Sequence, residues 1–520
     1  MSFETDFRPI GAFVGENAAL GDKAAIVCDE RAISWRDFAA LANRVANALR
    51  ALGVGTGDKV AALAANSPEY VATYAGALRA GACVVPLSTM AAGDQLRAMI
   101  DDCDAKVLFL GKDYRETVRA FDARLGKIVP GGRIAFDFEE PGWTAFADIV
   151  AKASAAEPGA APPPESDCNM IYSSGTTGAP KGIVHSQRMR WSQLVRQKRL
   201  GYAPEAVTLV STPIYSNTTL VSLLPTLALG GTVILMRKFD ARRALELCER
   251  HRVTHAMLVP VQYKRMLALA DFDRFDLSAF KVKMSTSAPL GEPLKREIVA
   301  RWPGRMIESY GLTEGGATFS LDCQAFPDKL HTVGRPVEGA EALIIDEAGK
   351  VLPTGQVGEV VGRSINMMTG YYKLPEKTAA MRWFHPDGRV FFRTGDMGRL
   401  DDDGFLILLD RSKDMIISGG FNVYPADIET ELARHPAVED SAVIGIPSEA
   451  WGESPLALVV RKPGQRIEAE ELLAWTNARL GKTQRLVGVE FRDAFPRSSI
   501  GKILKRELRA PYWAGRDKAI

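Results

Sequence analysis

The sequence predicts an α/β protein with a large N-terminal domain of two α/β subdomains plus a β-rich lobe, and a small mobile α+β C-terminal domain. In the first part of the chain, short apolar runs alternate with helix-like segments, which is typical of buried parallel strands between helices. From about residue 340, short β runs are separated by many glycines, which indicates an antiparallel lobe. The last segment, 413–520, has strands and helices of its own and is long enough for a small domain. We therefore divide the chain into 1–412 and 413–520.

The individual elements follow from the spacing of apolar residues. Strands are expected at 24–27, 60–64, 83–86, 106–110, 169–172, 208–212, 232–236 and 255–259, and in the last segment at 441–446 and 456–461. Helices are expected at 35–53, 242–252, 294–300, 426–434 and 468–480, the first of them ending at a glycine. The Ala/Pro-rich stretch 151–166 is predicted to be a surface linker, because it cannot bury enough apolar area to order itself.

Composition excludes several classes of protein. The 520 residues are 46% hydrophobic and 25% charged, as in ordinary globular proteins. A net charge of +2 provides no footprint for nucleic acid and disfavours an anionic membrane surface as the main partner. The six cysteines form no CxxC pair, so we expect scattered buried thiols rather than disulfides or a zinc site. No apolar signal segment begins the chain, and the longest apolar stretch, 220–229, is too short to span a membrane. A cytoplasmic enzyme is expected.

The strongest local signal is a loop suited to binding phosphate. Glycines let backbone N–H groups approach phosphate oxygens, hydroxyls add donors and a lysine adds charge. A Walker A loop is excluded, because it requires Gly-Lys-Ser/Thr where this chain has Pro180-Lys181-Gly182. The loop follows the strand at 169–172 and contains Ser173, Ser174, Gly175, Thr176, Thr177, Gly178 and Lys181.

Five motifs in order resemble those of the adenylate-forming (AMP-binding) superfamily, which includes acyl-CoA synthetases, adenylation domains and luciferases. They are SSGTTGAPKG at 173–182, YGLTE at 310–314, RTGD at 393–396, DRSKDMIISGGFNVYPADIE at 410–429 and RSSIGK at 497–502. Together they span roughly residues 170–502. The resemblance implies two half-reactions. A carboxylate attacks the α-phosphate of ATP to form an acyl-adenylate and pyrophosphate, and a thiol then attacks the adenylate and releases AMP.

The resemblance also implies roles in binding ATP. Thr176, Thr177 and Lys181 are expected to hold the β- and γ-phosphates, and Thr313 to touch the α-phosphate. Glu314 is the expected Mg²⁺ ligand, with Ser173 as a second metal contact. The adenine is expected to lie between Tyr310 and the segment Ser287, Ala288 and Pro289, flanked by Glu308, Ser309 and Gly311. Asp396 is expected to accept hydrogen bonds from the ribose hydroxyls, assisted by Arg411.

The C-terminal motifs imply the remaining catalytic roles. Lys502 is expected to neutralise charge that develops as the carboxylate attacks. Lys413 matches the hinge position about which the C-terminal domain rotates between the half-reactions. The segment Ser418, Gly419 and Gly420 is expected to leave room for the pantetheine arm of CoA.

The acid is expected to be a hydrophobic monocarboxylate, fatty or aromatic, bound in a pocket lined by Tyr215, Ser216, Asn217 and Thr218. This segment carries no aspartate for an amino-acid ammonium group and no arginine for a second carboxylate. CoA is the expected thiol, because no carrier domain follows Lys502. His185 resembles a histidine of aryl and alicyclic acid ligases, and the stretch 480–486 departs from the family pattern.

Two alternatives stay open: an enzyme that loads an acyl carrier protein, and a non-catalytic sensor of nucleotide or acyl-adenylate. The expected partners are therefore an acid, ATP, Mg²⁺ and CoA, with no nucleic acid and no integral membrane segment. The oligomeric state is open.

Overall fold

The computed structural model describes residues 7–159, 161–173, 181–411, 414–418, 421–449, 451–481, 484–498 and 501–514, with the backbone alone at 173, 410 and 411. The strands are β1 Ala24–Cys28, β2 Arg31–Ser34, β3 Lys59–Leu63, β4 Cys83–Pro86, β5 Ala105–Leu110, β6 Arg133–Ala135, β7 Thr144–Ala145, β8 Asp167–Ser173, β9 Lys181–Ser186, β10 Val207–Val210, β11 Thr232–Leu235, β12 His255–Leu258, β13 Val282–Ser285, β14 Arg305–Leu312, β15 Gly315–Asp322, β16 Arg335–Pro336, β17 Glu341–Ile345, β18 Gly358–Arg363, β19 Gly370–Tyr371, β20 Arg382–Phe384, β21 Val390–Leu400, β22 Leu406–Arg411, β23 Ile416–Ser418, β24 Phe421–Val423, β25 Val438–Ser448, β26 Gly452–Arg461 and β27 Gly488–Phe491. The α-helices are α1 Ile10–Glu16, α2 Trp35–Ala51, α3 Pro68–Arg79, α4 Gly93–Asp102, α5 Arg115–Arg119, α6 Phe146–Lys152, α7 Gln187–Lys198, α8 Asn217–Ala228, α9 Ala241–Arg250, α10 Pro260–Leu267, α11 Glu292–Arg301, α12 Pro375–Ala380, α13 Pro425–Leu432, α14 Ala469–Asn477 and α15 Lys505–Arg509.

Two large sheets form the first part of the chain. One has eight strands in the order β19-β9-β8-β4-β3-β5-β6-β7, and the other has nine in the order β16-β15-β14-β13-β12-β10-β11-β1-β2. The inner strands are parallel, from β8 to β7 in the first sheet and from β14 to β1 in the second. Carboxyl ends of parallel strands meet at one edge of a sheet, where α/β proteins place their ligands.

The remaining strands form two smaller sheets. β17, β18, β20, β21 and β22 pair antiparallel, as the glycine-rich texture of that region predicts. The C-terminal segment has a sheet of β23–β27 with α13 and α14 against it. It has a core of its own, which includes Ile416, Ile428, Val443, Val459 and Leu472. The predicted fold class, a large α/β domain with a β-rich lobe and a small α+β domain, is confirmed.

Most of the predicted elements are found within about three residues of the expected ends. Helix α2 shows why: the Ser34 side chain accepts a hydrogen bond from the N–H of Asp37 and caps its start. At its end the N–H of Gly53 donates to the carbonyl of Arg50 at 2.9 Å, and Gly53 has a φ of +76°. The terminating glycine is therefore confirmed.

The Ala/Pro-rich stretch 151–166 is held by its neighbours to a greater degree than its composition suggests. It begins in α6 and is otherwise irregular over its described residues. Amides of α2 hold it: Asn43 Nδ2 donates to the carbonyl of Ala155 at 2.9 Å, and Asn47 Nδ2 to that of Ala156 at 2.9 Å. Hydrogen bonds to its backbone, together with burial of Pro158 and Pro162, order this stretch.

Two of the compositional expectations can be checked directly. All six cysteines are buried free thiols, as predicted. Across the described ranges, no helix is both long enough and apolar enough to cross a membrane.

The hairpin between β14 and β15 requires glycine at the first residue of β15, Gly315. Gly315 has a φ of +85°, and a Cβ there would lie 1.8 Å from the carbonyl oxygen of Asn366. No side chain can occupy that position without moving the backbone of one partner.

We predict that Gly315→Ala destabilises the protein by about 3 kcal/mol or more, since it combines a left-handed strain with a backbone clash. Gly388→Ala is the matched control: Gly388 has a φ of +89° and nothing within 4 Å of a Cβ, so it should cost only the strain, about 1 kcal/mol. Urea unfolding compares them, and equal losses would contradict this account of the hairpin.

Candidate active site

The site is assembled where chain segments leave the carboxyl ends of parallel strands. β8 runs into 174–180, which lies outside the described residues. β10, β12, β13 and β14 lie side by side and run parallel in the nine-stranded sheet. β10 leads into residues 211–217, β13 into 286–291 and β14 into the turn at 313–314. Topology therefore brings the predicted acid-binding, adenine-binding and metal-binding segments to one edge.

Glu314 lies in the two-residue turn of the β14–β15 hairpin, where Leu312 pairs with Gly315. Its Oε1 accepts a hydrogen bond of 2.9 Å from the hydroxyl of Tyr371, and its carbonyl accepts one of 2.8 Å from the N–H of Met368. Burial and the neighbouring carboxylate raise the pKa of Tyr371, so the hydroxyl stays protonated and donates. The carboxylate is thus held in a fixed place by a residue 57 positions along the chain.

Lys181 shares that tyrosine. It is the first residue of β9, and its ammonium nitrogen lies 5.1 Å from the centroid of the Tyr371 ring. Tyr371 itself pairs with Ile183 across the β9–β19 ladder. The phosphate-loop lysine and the predicted metal ligand therefore meet on opposite parts of one aromatic side chain. Sequence analysis missed Tyr371, because nothing local marks a tyrosine in a two-residue strand.

Tyr310 and Asp396 are brought together from separate sheets. The Tyr310 hydroxyl donates to Asp396 Oδ2 at 2.6 Å, and its ring packs 5.7 Å from that of Phe319, centroid to centroid. Asp396 is buried, 7% exposed, and its N–H donates to Thr394 Oγ1 at 3.0 Å. The two residues expected at adenine and ribose are therefore direct neighbours.

The segment 287–289 is fixed at its first residue by a contact with α8 and just after its last residue by a buried ion pair. Ser287 has a φ of +78°, and its hydroxyl contacts that of Thr218 at the start of α8. The Glu308 carboxylate accepts from the N–H of Leu290 at 3.4 Å and pairs with Lys295. Burial raises the pKa of Glu308, and the Lys295 ammonium opposes that shift. Because this carboxylate is engaged inside the fold, only the backbone of Glu308 remains for a nucleotide.

Lys295 escaped sequence analysis although it lies on a predicted helix. Its ammonium also donates to the carbonyls of Leu330 and Thr332, each at 2.8 Å. The only sequence signal is a lysine on the apolar face of α11, a weak one by itself.

The predicted acid-binding residues surround the start of α8. Tyr215, Ser216 and Thr218 are buried, and the Tyr215 hydroxyl has no hydrogen-bond partner in the part of the chain that the structure describes. Asn217 Oδ1 accepts a hydrogen bond of 2.9 Å from Arg190. The segment itself carries no arginine, as expected, but Arg190 of α7, 27 positions earlier in the chain, contacts it from outside the segment.

The motif that carries Lys502 reaches the large domain. Arg497 Nη1 donates to the carbonyl of Gly501 at 2.7 Å and pairs through Nη2 with Asp440. Gly501 has a φ of +78°, and a Cβ there would lie 2.6 Å from Val261 Cγ1 in α10. The backbone beside Lys502 therefore packs against the N-terminal domain with no room for a side chain.

Of the residues predicted to line the path of CoA, Ser418 is described: it ends β23, where it pairs with Phe421 and Gly452. Ser174, Gly175, Thr176, Thr177, Gly178, Lys413, Gly419 and Gly420 lie outside the described residues, as do the side chains of Ser173 and Arg411. Over the described ranges, no three His, Cys, Asp or Glu side chains cluster as a metal site. One fixed carboxylate, Glu314, suits Mg²⁺ that takes its other ligands from phosphates and water.

Comparisons with known proteins identify the family of the chain. Residues 15–372 match the AMP-binding enzyme family, and residues 427–502 match the AMP-binding enzyme C-terminal domain. A feruloyl-CoA synthase from an Amycolatopsis species is 35% identical over 488 residues, 92% of this chain and 94% of that protein. An indoleacetate–CoA ligase from Aromatoleum aromaticum is 33% identical over 498 residues, 94% of each. The crystal structure of the anthranilate CoA ligase AuaEII in complex with anthranoyl-AMP matches with a TM-score of 0.87 at 26% identity, over 98% of this chain and 99% of that chain. The resemblance carried by the five motifs is confirmed: the chain belongs to the adenylate-forming, AMP-binding enzyme superfamily, in its acyl-CoA synthetase branch.

Proposed function

We propose that this enzyme is an AMP-forming acid–CoA ligase that activates a hydrophobic monocarboxylic acid, fatty or aromatic. It forms an acyl-adenylate from the acid and ATP, and then transfers the acyl group to CoA with release of AMP. The observation that carries the proposal is the convergence of Lys181, Glu314, Tyr310 and Asp396 from three sheets: Lys181 and Glu314 both contact Tyr371, and Tyr310 contacts Asp396. The domains that perform the reaction are 1–412 and 413–520.

In the first step, the acid's carboxylate oxygen bonds to the α-phosphorus and the bond to pyrophosphate breaks. Such chemistry asks the protein mainly for positioning and for stabilisation of charge. Asp396 accepts hydrogen bonds from the ribose hydroxyls, and Tyr310 and the segment 287–289 enclose the adenine. Lys181 and the loop at 173–178 bind the β- and γ-phosphates. Glu314 and Ser173 would hold Mg²⁺, which when bound draws charge from the phosphates. Lys502 neutralises charge between the carboxylate and the α-phosphate.

In the second step, the CoA thiol attacks the carbonyl carbon of the adenylate, and AMP leaves with the oxygen that came from the acid. The C-terminal domain turns about Lys413 between the steps, and the segment 418–420 then lines the path of the pantetheine arm. The segment 215–218, which we propose to line the acyl pocket, carries no charged side chain, and this favours an uncharged acyl group. Two of the similar proteins are named as a feruloyl-CoA synthase and an indoleacetate–CoA ligase, so aromatic acids are tested first.

We predict CoA-dependent release of AMP with one class of acid. The panel consists of short, medium and long fatty acids, benzoates, cinnamates, indoleacetate and malonate, each with ATP, Mg²⁺ and CoA. Pyrophosphate release without CoA turnover would move the assignment to carrier-protein loading, and ATP binding without pyrophosphate release would favour the sensor.

We predict that Lys502→Ala lowers acyl-adenylate formation by roughly 10²–10³-fold, because it removes a charge needed as the carboxylate attacks. Thioester formation from supplied adenylate should fall less. Lys462→Ala, at an exposed lysine of the same domain, is the control. Chemical quench resolves the two half-reactions, and an equal loss in both would remove Lys502 from the role.

We predict that Tyr310→Phe raises the KM for ATP by about tenfold or more. The ring is kept, but Asp396 loses a hydrogen bond of the kind worth about 1.5–3 kcal/mol. Tyr202→Phe is the matched control, because the Tyr202 hydroxyl is buried without a hydrogen-bond partner among the described residues. Steady-state kinetics measure both, and an unchanged KM in Tyr310→Phe would show that the contact with Asp396 does not shape the nucleotide site.

A further inference from the structure

Arg190 is a charged side chain enclosed by neutral ones. It lies on α7 with 1% of its surface exposed. Its Nε donates to Asn169 Oδ1 at 2.7 Å, and its Nη1 donates to Gln193 Oε1 at 2.7 Å. Its Nη2 faces Asn217 Oδ1 at 2.9 Å and His185 Nδ1 at 3.0 Å. All four partners are side chains that carry no negative charge.

Such a residue is expensive to keep. A buried guanidinium is normally paired with a carboxylate, and an unpaired buried charge costs several kcal/mol. In the part of the chain that the structure describes, no carboxylate is among the partners of the Arg190 nitrogens. Burial lowers its pKa accordingly. A purely structural need for filled space would be met by an apolar side chain at lower cost.

The arginine determines which nitrogen of His185 carries the proton. A guanidinium only donates hydrogen bonds, so Nδ1 of His185 must accept. The amide nitrogen of Asn169 also points at Nδ1, at 3.2 Å. Burial and the Arg190 charge hold the pKa of His185 well below its usual range, so the ring is neutral. A neutral ring with an accepting Nδ1 carries its proton on Nε2.

The proton on Nε2 of His185 forms a hydrogen bond between the two large sheets. His185 belongs to β9, and its Nε2 donates to the carbonyl of Thr313 at 2.7 Å, in the turn that also carries Glu314. The same arginine bonds Asn217, which begins the helix of the predicted acid pocket. One guanidinium is therefore connected through His185 to the turn that is proposed to face the nucleotide, and directly to Asn217 in the segment that is proposed to face the acid.

We propose that Arg190 and His185 are positioning residues for adenylation. Arg190 holds His185 as the Nε2–H tautomer, and His185 in turn holds the Thr313–Glu314 turn where the α-phosphate and its metal ion are bound. This inference rests on the proposed function, and it adds residues outside the sequence motifs.

Two substitutions of His185 separate the roles of its nitrogens. A glutamine amide can reach the place of Nε2 and still donate to Thr313, whereas an asparagine amide reaches only the place of Nδ1. We expect His185→Gln to keep ATP–pyrophosphate exchange within about threefold of wild type. His185→Asn should lower its kcat by about 10–100-fold, the scale of a displaced reacting group. Thermal unfolding of both variants accompanies the assay.

The outcomes discriminate. Equal losses in both variants, or no loss in either, would overturn the proposal, because activity would then not depend on a donor at the place of Nε2. Thermal unfolding measures separately the methylene group by which the two amides differ in packing. Wild-type protein without pyrophosphate exchange with any acid would instead overturn the proposed function, and the adenylation role with it.

A second readout needs no turnover. In protein labelled with ¹⁵N-histidine, the signal lost in His185→Gln identifies residue 185 among the six histidines. We expect a proton on Nε2 and an unprotonated Nδ1 in wild type, and a changed Nδ1 shift in Arg190→Met. A proton on Nδ1 in wild type, or identical spectra in Arg190→Met, would overturn the role of the arginine.

Discussion

The hydrogen bond from His185 to the carbonyl of Thr313 ties the two large sheets together at the place where the site is built. On one side is β9, which follows the phosphate loop, and on the other is the β14–β15 turn with Glu314. The segment 366–371 completes the junction, because Asn366 packs on Gly315, and Tyr371 pairs with β9 and donates to Glu314. The relative placement of β9, β19 and the β14–β15 turn thus depends on a few contacts between distant parts of the chain.

Buried cations recur around this junction. Arg190 bonds neutral side chains beside the proposed acid pocket, and Lys295 bonds Glu308 and two carbonyls beside the segment 287–290. Each cation lies behind a segment that a substrate is proposed to touch on its other side. Burying charge is costly unless hydrogen bonds compensate it. Here one bond in each network reaches a segment that is proposed to face a substrate: Arg190 bonds Asn217, and the Glu308 partner of Lys295 bonds Leu290. Preorganisation of this kind lets an enzyme stabilise charge without rearranging during the reaction.

Local sequence was sufficient for the fold class, most element positions and the motifs, because apolar periodicity and loop chemistry are properties of neighbouring residues. The contact between Tyr310 and Asp396 was implicit in their shared site, although 86 residues separate them. Tyr371, Lys295 and Arg190 could not be found in this way. Their meaning comes from partners 57, 35 and 27 positions away, and each lies in an element that reads as ordinary packing. The residues proposed to contact substrates could thus be predicted from the sequence, whereas the residues that orient them could be identified only in the tertiary structure.

The central claim is that this junction joins a carboxylate to the α-phosphate of ATP. It is tested most directly with an accepted acid that carries ¹⁸O in both carboxylate oxygens, followed by mass spectrometry of the products. The account predicts one ¹⁸O atom in each AMP formed and none in pyrophosphate, because the attacking oxygen stays with phosphorus when the thiol takes the acyl group. Label in pyrophosphate or orthophosphate, or the formation of ADP, would contradict it.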